Sequence, residues 1–348
     1  MAGPTENRRR NLAFLGGAAL VIAALAGFAL NQRARDTGPS FVPQPVVPGL
    51  ADVVNNVGEV MIETHEDAFH ARRTEEGSWV IVERNNFPAN IAMVRSAAVG
   101  MSELQALEPR TAQPELLERL GLGARADGSE AIRVVLRDRA GETIGDILIG
   151  DNQGVSDPAG LNRIYVRRTG ENQAWLARGS ITVQPQIGDW LDKNVIEIDR
   201  EQIRSTRFTP SEGAAYTLAR ETEDEVNFVL DNVPAGRELS YPGVTYGPAT
   251  VVSNFTFEDV RLVSEIDFSD ATEIVTETFD GLQIIVRVAQ ESDIAWASLA
   301  ALSDGEAEQQ QQADFINLAG HGWAFQLPEF TAQSFLTTRD SLLAPLDE

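Results

Sequence analysis

With 348 residues and a hydrophobic fraction of 43%, the chain can bury a sizeable core, which excludes general disorder. Its 52 acidic against 28 basic residues give a formal net charge of −24; this argues against nucleic acid as a partner and against a body lying flat on an anionic lipid surface. The lack of cysteine excludes disulfides, thiolate catalysis and Cys-ligated zinc or iron–sulfur centres.

Residues 1–35 read as a cytoplasmic N-terminus and a transmembrane anchor. Arg8, Arg9 and Arg10 precede an uncharged run whose core, residues 12–30, is almost wholly Ala, Leu, Gly, Val, Ile and Phe. At about 1.5 Å per residue such a helix spans a hydrocarbon core of about 30 Å. The arginine cluster orients it with the N-terminus inside, which predicts a single-pass inner (plasma) membrane protein with a periplasmic body. Ala24-Leu25-Ala26 keeps a cleaved signal peptide open as the alternative, although the apolar run continues to Leu30. Arg9-Arg10 resembles a twin-arginine signal in a poor surrounding pattern. All three readings export the body. Residues 36–50, with Pro39, Pro43, Pro45 and Pro48, read as a stiff, extended tether.

The body reads as α+β, with a duplicated unit of antiparallel strands and amphipathic helices over 51–187 and 188–302, and a helical tail over 303–348. In the first copy, a strand around Val60, a turn at Glu76-Gly77 and the strand Trp79 to Val82 lead to a helix over Ile91–Leu107. Its apolar positions Met93, Val94, Ala97, Met101 and Leu104 recur at three and four residues. A short helix from Pro114 stops at Gly121. Two hairpins follow, Ala131–Arg137 with Thr143–Ile149, and Ile164–Val166 with Ala174–Leu176. The second copy repeats this order about 145 residues later. Its strands cover Ser205–Thr209, Ala215–Ala219 and Val226–Leu230, a helix is expected over Ala249–Val263, and a hairpin joins Ile274–Thr278 to Leu282–Val288 through Asp280-Gly281. Trp190 is expected to plug the seam between the copies. After Trp296 a Gln-rich helix, an extended Gly322–Pro328 stretch and a last helix over Phe330–Leu343 are expected.

The segments Gly77-Ser78-Trp79-Val80-Ile81, Pro88-Ala89, Val94 to Pro109, Ile147-Leu148-Ile149-Gly150, Tyr165 to Arg168, Ala174-Trp175-Leu176, Trp190-Leu191-Asp192 and Thr278 to Leu282 together match the pattern of a bacterial group. Across most of residues 59–300 the chain resembles the family called domain of unknown function 4340. That resemblance implies a single-anchor envelope protein associated with gliding-motility-type ABC transporters, and it carries no catalytic residue.

No segment forms a convincing catalytic constellation, and nothing calls for a cofactor. His65 and His70 lack the i,i+4 helical spacing of a zinc-binding His pair, and His321 stands alone. Asp151 and Asp157, in an oxygen-rich loop, are candidate calcium ligands, with an ordinary Asx-rich turn as the plainer reading. Tyr165, Arg167 and Arg168 are candidates for gripping an anionic group, and Trp190 and Trp323 for an interaction surface. The expected function is a non-enzymatic accessory or scaffold protein that binds ABC transporter components or other envelope proteins. One alternative is a binding module holding a glycan, lipid or peptide in a cleft between the copies. The other is a carboxylate-dependent hydrolase, which requires two facing acids, one with a raised pKa.

Overall fold

The computed structural model describes residues 41–123, 129–152 and 161–345. The anchor expected over 12–30, its cleavage pattern and Asp157 lie outside the described residues. Among the described residues, no helix is long and apolar enough to cross a membrane.

The body is mostly antiparallel β-sheet with a few helices. Its first sheet holds β1 (Gln44–Pro45), β2 (Val57–Glu63), β3 (Ala68–Arg73), β4 (Trp79–Ile81), β5 (Phe87–Pro88), β6 (Gln105–Pro109), β7 (Ile132–Asp138), β8 (Thr143–Asn152), β9 (Asn162–Arg168) and β10 (Ala174–Gly179). Its second holds β11 (Ile203–Thr209), β12 (Tyr216–Ala219), β13 (Val229–Leu230), β14 (Asp259–Leu262), β15 (Thr272–Thr278), β16 (Leu282–Glu291), β17 (Ile294–Ser303) and β18 (Trp323–Gln326). Strand alternation sets the faces. On β2, Val60 and Ile62 are buried while Glu59 and Glu63 point the other way; on β16, Leu282, Ile284, Val286 and Val288 alternate with Gln283 and Arg287.

The two sheets share one strand order. The run β6-β10-β9-β8-β7-β2-β3-β4 of the first corresponds, strand for strand, to β14-β18-β17-β16-β15-β11-β12-β13 of the second. Six helices accompany them among the described residues: α1 (Leu50–Val53), α2 (Ile91–Glu103), α3 (Pro114–Leu117), α4 (Tyr246–Ala249), α5 (Ala307–Gly320) and α6 (Glu329–Phe335). Asn90 caps α2, its side chain accepting from the amides of Ala92 (3.0 Å) and Met93 (3.4 Å). The helix buries Val94, Ala97, Ala98 and Met101.

Several sequence expectations are corrected here. The helix after Asn90 ends at Glu103 rather than Leu107, because Gln105–Pro109 is taken into the sheet between β1 and β10. The helix expected over Ala249–Val263 is absent. α4, a 3₁₀ turn at Val251–Asn254 and strand β14 occupy that stretch. The β-branched run Thr250-Val251-Val252 disfavours a continuous helix, and β18 offers β14 a pairing edge. Residues after Trp296 continue β17 to Ser303, and the helix starts only at Ala307. The tail is no appendage: β18 lies between β17 and β14 inside the second sheet. Its last expected helix divides into α6 and a 3₁₀ turn at Arg339–Leu342. The tether is shorter than expected. Pro45 and Gln44 pair with β6, the Val46 amide donates to the Leu104 carbonyl (2.8 Å), and Val46 and Leu50 are buried.

Arginines pin both units. Buried Arg220 donates only to backbone carbonyls: Ile203 and Arg200 at 2.8 Å, Glu201 and Glu225 at 2.7 Å, with Glu223 at 3.3 Å. On the outer face of the first sheet, Arg133 forks onto Asp146 (2.9 and 2.7 Å) and reaches Glu63 (3.0 Å), while the Thr169 hydroxyl donates to Asp146 (2.6 Å). Burial pushes the Asp146 carboxyl up, but hydrogen bonds from Arg133 and Thr169 and the Arg133 charge outweigh it, so its pKa lies below the usual value.

A carboxyl with a depressed folded pKa adds stability above its unfolded value, and that stability is lost as pH falls through the folded pKa. Asp146→Asn should therefore lower the urea midpoint at neutral pH and leave a smaller further drop between neutral pH and pH about 3 than in the parent protein. Gly188→Ala tests the close approach of the linker to the second sheet, because an added Cβ would run into the carbonyl oxygen of Glu258. Its expected cost in equilibrium unfolding is about 1–3 kcal/mol.

Candidate functional site at the seam between the sheets

The two sheets meet through one short stretch of chain. After β4, a 3₁₀ turn at Val82–Arg84 and two left-handed asparagines, Asn85 and Asn86, redirect the backbone into β5. Phe87 stays paired with Ile81 at the edge of the first sheet, and its ring is turned toward the second. Its ring meets Trp323 (5.0 Å between centroids), Phe257 (6.0 Å) and Phe325 (6.1 Å), each nearly edge-to-face. Phe257 and Phe325 in turn contact Phe255, which reaches Phe335 of α6. Residues of both sheets thus form one hydrophobic core.

Polar contacts border the aromatic cluster. The Arg84 guanidinium forks onto Asp259 of β14, with Nη2 donating to Oδ2 at 2.9 Å and Nε donating to Oδ1. The linker between the sheets is sewn to β5: the Asp192 amide donates to Pro88 (2.9 Å), the Asn90 amide donates to Trp190 (2.7 Å), and Ala89 bridges to Leu191. Lys193 donates to the Phe257 carbonyl (2.7 Å) with its ammonium 4.2 Å from the centre of that ring. Burial pushes the Lys193 ammonium below its usual pKa, opposed by the charges of Asp189, Asp259 and Glu258.

Beside this seam lies an apolar niche of about 190 Å³, lined by Phe87, Pro88, Val195, Phe315, Leu318 and Ala319, with Asp192 and Asn194 at its edge. Two of its walls come from α5. That helix turns Ala313, Ile316 and Gly320 into the second sheet, where Gly320 allows close approach to Leu299. Its opposite side leaves Leu318 81% and Phe315 38% exposed. The periodicity of the Gln-rich segment was too weak to single out these two residues in the sequence, where Gln309 to Gln312 dominate the helix.

The residues singled out by sequence are scattered. Trp190 is fully buried, edge-on to Phe69 (5.7 Å), with its indole N–H donating to Gln184 (3.0 Å), so it is a core residue of the seam and offers no exposed surface. Trp323 is half-buried and joins the seam through Phe87. Tyr165 and Arg167 share the outer face of the first sheet, where Tyr165 packs on a small core of Leu117, Leu122, Leu148 and Ala174. Arg168 points to the other face and donates to Val46 and Glu171, so the three form no common anion grip. Asp151 sits against Gly121, the left-handed residue that stops the helical turn after Pro114. His70 is paired with Glu83 (2.6 Å) and His65 with Glu66 (3.5 Å); the His321 amide closes α5 on Asn317. Among the described residues, no group of three or more His, Asp or Glu side chains could hold a metal ion. Among the described residues, the two carboxyls with displaced pKa values, Asp146 and Asp267, both move down, Asp267 through hydrogen bonds from Ser269; a general acid needs the opposite shift.

If Phe87 holds the sheets together, Phe87→Ala should cost about 3–5 kcal/mol in urea unfolding followed by tryptophan fluorescence, a large loss for one side chain.

Comparison with known proteins adds a family. No curated protein and no solved structure matches the chain. The family model described as Domain of unknown function (DUF4340) matches residues 79–280, more than half of the sequence. The match begins at β4, takes in Phe87, the linker and Phe257 of the seam, and ends in the turn after β15. The chain is a member of the DUF4340 family.

Proposed function

We propose that this protein is a non-catalytic accessory subunit, anchored in the inner membrane by residues 12–30 and exposing its body to the periplasm. There it docks a protein component of an ABC-type transport system. The carrying observation is the exposed pair Leu318 and Phe315 beside an apolar niche, mounted on a seam that aromatic packing makes stiff. Large apolar side chains clustered next to a niche mark a site for another protein's side chains. Their helix packs directly on β17, so the surface is presented by a rigid element.

The shared strand order of the sheets supports a further reading, that the body arose by duplication of one α+β unit. The second copy then acquired α5 between β17 and β18, where the first copy has only the turn after Arg168. The competing idea, a small-molecule site in a cleft between the copies, draws no support from this niche. The niche of about 190 Å³ is smaller than the roughly 300–1,000 Å³ typical of ligand pockets.

Co-purification from detergent after crosslinking tests the proposal. The parent chain should bring down a transporter component, whereas Leu318→Asp should lose it while its unfolding midpoint stays within about 0.5 kcal/mol of the parent. Recovery of the parent chain alone would overturn the reading.

A further inference from the structure

The first sheet carries a second feature, lined by none of the seam residues and independent of the docking proposal. At one end of its outer face, the tips of the β3–β4 and β7–β8 hairpins rise around a cleft of about 810 Å³. Four arginines line it: Arg72 and Arg73 from the end of β3, Arg137 from the end of β7, and Arg139 from the following turn. At its floor lies Glu59, a buried carboxylate that accepts from Arg72 Nε (2.9 Å) and Arg137 Nη1 (2.8 Å).

That arrangement preorganises cations. Glu59 holds two guanidinium groups side by side but balances only one of their charges, and each keeps further N–H donors. Arg73 donates through Nε to the Gly77 carbonyl (3.2 Å), which fixes its stem, and among the described residues it has no ion pair. Arg139 has no ion pair among the described residues. Acidic groups are present at the rim, and they are placed differently. Glu75 and Glu76 are exposed at the tip of the β3–β4 turn, and Asp138 accepts the amides of Ala140 and Glu142 within its own turn. A separate observation points to a missing partner: the Thr74 hydroxyl, also in the cleft wall, is buried with no hydrogen-bond partner. Buried hydroxyls are ordinarily paired.

We propose that this cleft binds a multiply charged oxyanion of the phosphoryl class, with Arg73 and Arg139 as its principal charge partners, Arg72 and Arg137 held in place by Glu59, and Thr74 donating a hydrogen bond. Guanidinium forks match the geometry of phosphate oxygens, and several converging forks favour a dianion over a simple carboxylate. The phosphoryl group can belong to a soluble metabolite or to a lipid headgroup.

The test uses the full chain in a neutral detergent at low salt, titrated with inorganic pyrophosphate by calorimetry. Saturable binding is expected, weakened about tenfold or more by Arg139→Gln, and also by Arg73→Gln, with no change from Arg95→Gln at an exposed position of α2. Among the described residues the Arg139 guanidinium makes no hydrogen bond or ion pair, so Arg139→Gln should unfold at the parent midpoint. Absence of saturable binding, or equal weakening by Arg95→Gln, would overturn the proposal. Repeating the titration with phosphatidylglycerol or phosphatidylcholine in the micelles identifies the source. Competition by phosphatidylglycerol alone assigns the cleft to a lipid headgroup, and unchanged pyrophosphate binding assigns it to a soluble phosphate ester.

Discussion

Everything about the shape of this body depends on where Phe87 goes. Two large antiparallel sheets each need cover for an apolar face, and a chain joining them by a loose linker would leave two separate domains. Instead, β5 is too short to bury its own aromatic residue in the first sheet, and the paired left-handed asparagines before it swing the ring across to Trp323, Phe257 and Phe325. Edge-to-face contacts of this kind hold both distance and orientation. The backbone bonds from Asp192 to Pro88 and from Asn90 to Trp190 then close the linker over the joint, and Arg84 with Asp259 fastens its rim. A seam so packed has little empty space, which is why its functional potential lies on its outside edge.

The comparison between the sheets shows how one strand order can serve different ends. In the first, the long helix α2 follows β5 and covers the core face, and the hairpin between β9 and β10 is tight. In the second, the equivalent of α2 shrinks to α4 and a 3₁₀ turn, and cover comes from α5 and α6. The apolar ridge of Leu318 and Phe315 belongs only to the second unit, and the arginine-lined cleft only to the first. A partner protein and an anion would thus meet different units of the same body.

Net charge is a poor guide to this surface. The chain is strongly acidic as a whole, yet its arginines are the side chains that organise it. Arg220 gathers carbonyl oxygens, Arg84 clamps the seam, and Arg133 bridges Glu63 and Asp146. Each is a planar, multiply donating group placed where several acceptors converge, a role that one lysine could not fill. Lys193, the one lysine, is used differently, as a compact charge tucked over the Phe257 ring.

Much of this was written locally. Alternating apolar residues marked β2, β7, β8, β15 and β16, and glycine at Gly77 and Gly281, with φ of +96° and +89°, marked the turns that join their neighbours. The motifs around Trp79, Trp190 and Phe279 led to the family, and the repeated order of strands was readable because each hairpin depends on residues close in sequence. What local pattern could not decide was competition between partners far apart. Gln105–Pro109 and Asp259–Leu262 have helical and extended readings of similar merit, and they became strands because β10 and β18 supplied unpaired edges. Trp190 was expected at the seam, but no local pattern set Phe87 apart until the sheets came together, and the four cleft arginines lie up to 67 positions apart in the chain, from Arg72 to Arg139. The sequence by itself determined a cysteine-free, β-rich body with a recurring strand order; the tertiary structure alone decided which face is sealed, which is left bare, and where its cations converge, because those outcomes depend on contacts between residues that no local window contains.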